Sequence, residues 1–94
     1  MATFYFTYGS DERFPFQYGW TEIEAPDMVT ACAAFRLFHP ARDPEDHCLN
    51  CADKYTEAEF KATEMYEEGN YYGIRCHERI VLTREVFTQK GSEV

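Results

Sequence analysis

Cys48 and Cys51 stand three positions apart, with His47 directly before the first of them. Two thiolates at this spacing fill half of a tetrahedral zinc shell. The other half must come from elsewhere in the chain. His39 precedes the segment that holds the pair, and Cys76 and His77 follow it at a distance. His39, Cys48, Cys51 and Cys76 together supply three thiolates and one imidazole, a soft donor set suited to zinc. Such a shell is closed, with no open position for a substrate, so the zinc it predicts is structural. His47 crowds a neighbouring ligand and is expected to face solvent. Of Cys76 and His77 only one fits the shell; thiolate softness favours Cys76, with His77 as the replacement for it or for His39.

Other readings of the same residues stay open. No second cysteine pair completes a ribbon or finger pattern, so Cys48 and Cys51 also read as ordinary reduced cysteines or as a redox or disulfide pair. A thioredoxin-type pair opens a helix after a buried strand, whereas this one falls in a polar stretch. Cys32 lies among Ala and Phe and reads as core. His39 also suits a helix end, where the dipole favours a cation. A Cys–His nucleophile pair can be drawn from Cys51 or Cys76 with His39 or His77, but nothing in the sequence orients such a base. The chain is expected not to be an enzyme.

The elements that must position these residues follow from periodicity. Residues 3–8 alternate Phe4, Phe6 and Tyr8 against Thr3, Tyr5 and Thr7, a strand pattern. Residues 16–24 read as a second strand with Phe16, Tyr18 and Trp20 on one face; Ile23 is out of phase, so Gly19 marks a bulge. The two are expected to form an antiparallel hairpin. Residues 25–40 read as a helix started by Pro26 and Asp27 and ended by Pro40, with Met28, Ala31, Cys32, Phe35, Phe38 and His39 on its buried stripe. Residues 41–55 read as a loop that the metal would pin. Thr56 and Glu59 fit a capping box flanked by Tyr55 and Phe60 as a staple, opening a second helix to about Glu67 that stops at Gly69-Asn70. A last strand is expected over 78–87 with Ile80, Leu82 and Val86 on one face, and the tail from about 88 frays. The fold class is α+β: one domain over 1–94, an antiparallel sheet of about three strands with two helices on one face.

Seventeen acids against nine bases give a net charge of −8. Such a chain is repelled by nucleic-acid backbone and anionic membrane and steered toward basic surfaces. No run approaches a membrane span, and the start lacks signal-peptide features. A cytoplasmic location is expected, where thiols stay reduced. The 17 % aromatic content supplies a core. Glu57, Glu59, Glu64, Glu67 and Glu68 read as a solvated helix face or as a docking surface for a basic partner. Tyr71 and Tyr72 are adjacent; in an extended segment they point to opposite sides, so one of them should reach solvent or a partner.

The stretches "TYGS" with "YGWTEIEAPD", "ACAAFRLFHP", "LNCADKYTEAEF" and "RCHE" resemble small proteins carried by prophages and mobile elements of Firmicutes, over most of residues 4–79. That family carries no settled activity to transfer. In size and acidity the chain is also similar to anti-CRISPR and other anti-defence proteins of phages, some of which contain zinc. The resemblance implies an inhibitor in the cytoplasm of a host bacterial cell. It would act as a monomer and occlude the basic nucleic-acid-binding surface of a defence effector such as a CRISPR nuclease, through Glu57, Glu64, Glu67, Glu68, Tyr71 and Tyr72. It would touch neither nucleic acid nor membrane. The alternatives are an accessory zinc module of a mobile element and a small thiol enzyme.

Overall fold

Phe4, Phe6 and Tyr8 alternate with Tyr5 along the first strand, so aromatic rings project from both sides of it. One layer of helices cannot cover two aromatic faces, and the fold follows from that. The computed structural model describes residues 1–14, 16–40, 42, 45 and 51–82. Strand β1 (Ala2–Thr7) pairs antiparallel with β2 (Trp20–Ala25) on one side and with β3 (Asp53–Thr56) on the other. Strand β4 (Cys76–Val81) lies parallel to β2 at the opposite edge, giving the order β3-β1-β2-β4. The fold is α+β.

Helix α1 (Met28–Phe38) covers one face. Asp27 caps it, its carboxylate accepting the Thr30 N–H at 2.7 Å. Ala31, Ala34 and Phe35 then pack on Phe4, Phe6, Tyr8, Ile23, Ala25 and Leu82. The Phe6 and Phe35 rings stack with centroids 4.8 Å apart. The short helices α2 (Glu57–Lys61) and α3 (Met65–Glu68) belong to the other face. There Phe60 is fully buried, stacked 4.3 Å from Tyr5 and edge-on to Trp20 at 4.8 Å. Both halves of the Thr56/Glu59 capping box form, and the Tyr55 and Phe60 rings meet at 5.5 Å as the staple requires.

Several expectations are corrected. Among the described residues the sheet has four strands and is mixed, and the helices number three, divided between the two faces. Tyr5 and Trp20 need cover that α1 cannot reach, which is why the second helical layer goes beneath. The helix expected from Thr56 to Glu67 breaks at residues 62–64, where the Thr63 hydroxyl donates back to the Phe60 carbonyl at 2.7 Å. The stretch taken as loop contains β3. The second strand starts at Trp20 rather than 16, because Tyr18 and Gly19 are left-handed, with φ of 65° and 66°. A register shift between Trp20 and Thr21 sets Cys76 opposite Trp20 and Glu78 opposite Thr21, and leaves His77 in a bulge. The last strand begins at Cys76, two residues early, with Ile80 and Leu82 on the α1 core as expected. Val86 and the tail from 88 lie outside the described residues. Among the described residues no helix is long and apolar enough to cross a membrane.

Candidate protein-docking surface

Between α3 and β4 the chain makes a tight turn through Gly69, Asn70, Tyr71, Tyr72 and Gly73. A Cβ on Gly69 would sit 2.6 Å from the Gly73 carbonyl carbon, and its φ is 91°, so only glycine closes this turn without strain. Asn70 anchors it from below. Its buried side-chain amide donates to the Tyr8 carbonyl at 2.9 Å and the Gly19 carbonyl at 3.0 Å, while the Asn70 backbone carbonyl accepts the Gly19 N–H at 3.0 Å. The turn is thereby fastened to the end of β1 and the start of β2.

What the anchor presents is aromatic. Tyr71 is 56 % exposed and Tyr72 86 %. Their φ values of 62° and 54° are left-handed, a conformation that costs a non-glycine residue about 1 kcal/mol or more. Tyr18, left-handed too, packs against both, with ring centroids 5.4 Å from Tyr71 and 5.2 Å from Tyr72. The expectation that the two adjacent tyrosines would point to opposite sides of an extended segment is therefore corrected: the backbone is a turn, and both rings reach solvent. Helix α3 leads straight into it. Glu64, Glu67 and Glu68 are exposed, and among the described residues no basic side chain pairs with them. Arg75 is drawn inward to the Tyr66 and Glu67 carbonyls, with its guanidinium over the Trp20 ring. Glu57 is exposed but partnered with Lys61 at 3.5 Å, and Glu59 is spent on the capping box.

A second cluster lies under α1. The Tyr8 hydroxyl and Thr21 Oγ1 are 2.5 Å apart, and Thr21 donates to Glu78 Oε1 at 3.0 Å. Thr21 has one proton to give, so Tyr8 is the donor in the first bond. His39 Nε2 bonds the same Glu78 oxygen, while the His39 ring stacks on Phe35 at 4.8 Å and meets Phe16 edge-on at 5.6 Å. Burial, partly offset by the Thr21 hydrogen bond, pushes the Tyr8 phenol well above its ordinary value. His77, in the bulge, stacks on Phe16 at 4.7 Å and bonds the Tyr18 carbonyl through Nε2 at 2.8 Å. The cluster ties the end of α1 to β2 and β4 and holds the 16–19 segment in place.

Cys48 and His47 lie outside the described residues, so the four-residue zinc set is placed only in part. His39 bonds Glu78 through Nε2. Cys51 Sγ donates to the Asp53 carbonyl at 3.3 Å, and Cys76 Sγ donates to the Glu78 carbonyl at 2.9 Å. Burial pushes the Cys51 thiol up to about 12, against a partial lowering by Lys54, with the Asp53 charge adding a smaller rise. Burial and the Glu22 carboxylate raise Cys76 to about 11. Cys32 packs against the α1 core, as read from the sequence. Among the described residues no three His, Cys, Asp or Glu side chains converge as a metal shell would.

A comparison with protein-family models, with curated proteins and with solved structures found no match for this chain. Tyr18, Asn70 and Glu78 are structural contributors that the sequence reading did not assign, and His77, weighed there as a replacement ligand, instead stacks on Phe16. The signal for Asn70 was its place between glycine and paired tyrosines. Tyr18 was read as a strand residue, and its left-handed backbone is legible only from the register break at Gly19.

Proposed function

We propose that this protein is a non-enzymatic, acidic docking protein encoded by a mobile element. In this reading it occupies a basic nucleic-acid-binding surface on a host defence effector such as a CRISPR nuclease, and so inhibits it. The observation that carries the reading is the tyrosine turn. Two adjacent rings stand in solvent on left-handed backbone, at a cost that no core contact returns. Tyr is a preferred anchor of protein interfaces because it offers large area for little lost side-chain freedom. The unpaired Glu64, Glu67 and Glu68 beside it supply negative charge, and Glu57 extends the acidic face. Charge of this kind steers association toward a basic groove and weakens as salt rises.

The test measures DNA binding by purified CRISPR effectors with and without the protein. The expected outcome is competition that fades at high salt and is lost in a Tyr71→Ala/Tyr72→Ala variant whose thermal unfolding is near that of the parent. Competition by the parent that survives both changes would refute the reading. Recovery from host lysate distinguishes the alternative: an inhibitor brings down a defence effector, an accessory module brings down phage components. A structural zinc held by His39, Cys48, Cys51 and Cys76 remains a subsidiary proposal; with Nε2 bonded to Glu78, Nδ1 is the His39 nitrogen that would face the metal.

A further inference from the structure

Between α1 and the start of β3 lies a cavity of about 290 Å³. Phe6, Phe35, Cys32 and Ala52 give it apolar walls, and Arg36 and Lys54 stand at its solvent side. The charges are informative because acids outnumber bases in this chain seventeen to nine. Elsewhere Arg13, Lys61 and Arg79 pair with carboxylates, and Arg75 is held by backbone carbonyls. Arg36 and Lys54 pair with no acid among the described residues, and they meet at one cavity. Asp53 also lines the cavity, and its carboxylate accepts the Lys54 backbone N–H at 2.8 Å rather than a side-chain cation.

A half-open pocket with an aromatic floor and two cations that pair with no acid among the described residues has the form of a site for a small amphipathic anion. Its volume is just below the roughly 300–1,000 Å³ of ordinary ligand pockets, enough for one ring and too small for a nucleotide or a peptide. We infer that this cavity binds a compact aromatic carboxylate, with the ring against Phe6 and Phe35 and the carboxylate between Arg36 and Lys54. The two cations differ in what they offer: the Arg36 fork can take both carboxylate oxygens, and Lys54 adds a point charge. The inference stands apart from the tyrosine turn and does not rest on the docking function.

The experiment titrates the protein with phenylacetate and with 2-phenylethanol, the uncharged alcohol of the same carbon skeleton, following backbone amide shifts by NMR. The expected result is saturable perturbation at Arg36, Ala52, Asp53 and Lys54, with a phenylacetate Kd of about 1 mM or below. Arg36→Gln should weaken phenylacetate by about tenfold, and Lys54→Gln by less. Both residues are exposed and unpaired, so the variants should unfold at the parent's midpoint. Equal binding of the alcohol, unchanged affinity in both variants, or no saturable shift would each overturn the assignment.

Discussion

Removing the Asn70 anchor tests how the tyrosine turn is held. In Asn70→Ala the amide's two donations are lost. Gly19's carbonyl keeps the Tyr8 N–H at 3.1 Å, but Tyr8's carbonyl has the Asn70 amide as its donor. Two hydrogen bonds at about 1 kcal/mol each, one leaving a buried acceptor short, give a loss of about 2 kcal/mol. Asn70→Asp is almost the same shape and should be worse. It sets a carboxylate oxygen against two carbonyls where an N–H₂ stood, in a site only 7 % exposed. Repulsion and desolvation together bring the loss to about 4 kcal/mol at neutral pH. A domain of this length holds roughly 5–14 kcal/mol in all, so the difference is large enough to measure.

The assay is urea unfolding followed by fluorescence of Trp20, the single tryptophan. With a slope of about 1–2 kcal/mol per molar, the alanine variant should lose about 1–2 M in midpoint and the aspartate variant about twice that. The pH dependence fixes the sign. Burial among carbonyls raises the introduced carboxyl's folded pKa above its unfolded value of about 3.9. The penalty is therefore full above the folded pKa and is relieved as pH falls through it, because the protonated group becomes a donor again. The gap between the two variants should narrow from neutral pH toward about pH 4. An aspartate variant as stable as the alanine one at neutral pH would refute the donor role assigned to Asn70.

Phe60→Ala removes the fully buried ring between Tyr5 and Trp20. It should cost about 3–4 kcal/mol, against less than about 0.5 for the exposed Val29→Ala; a loss below 1 would mean that α2 does not cover the second face. With Cys51 and Cys76 held near 12 and 11, both should alkylate slowly at pH 7–8 in the presence of chelator and faster as pH rises toward those values. One thiol reacting far ahead of the others would revive the thiol-enzyme alternative. Elemental analysis of protein purified without added metal should find about one zinc, and finding none would end the zinc proposal.

The elements that the sequence announces most clearly are those with local causes. Asp27 and the α1 stripe, and the Thr56/Glu59 box with its Tyr55–Phe60 staple, depend on residues within a few positions of one another. They are legible for that reason. The parallel pairing of β4 with β2, the bulge at His77 and the division of helices between two faces depend on partners some fifty residues apart, which periodicity does not encode. One clue was present. Tyr5 alternates with Phe4 and Phe6, and an aromatic on each face of a strand calls for two covering layers. The His39–Glu78 pair escapes the sequence reading because the imidazole is assigned there to a metal or to the helix end, and Glu78 is assigned no role.

Tyr71 and Tyr72 bring strain and exposure together, and that combination separates a structural turn from a functional one. A turn required only to reverse the chain would place glycine or asparagine at φ near 60° and avoid the cost. Tyr72→Gly and Tyr72→Ala both delete the ring, yet they treat the backbone oppositely, since alanine keeps the left-handed penalty and glycine does not. The glycine variant should be the more stable of the two by about 1 kcal/mol, reversing the order usual in regular structure. It should equal or exceed the parent in stability while, under the proposed docking function, binding a basic effector as poorly as the alanine variant. Glycine less stable than alanine would mean that the backbone at Tyr72 is not left-handed. Glycine binding as well as the parent would mean that the ring has no part in docking, and the strain would then need another cause.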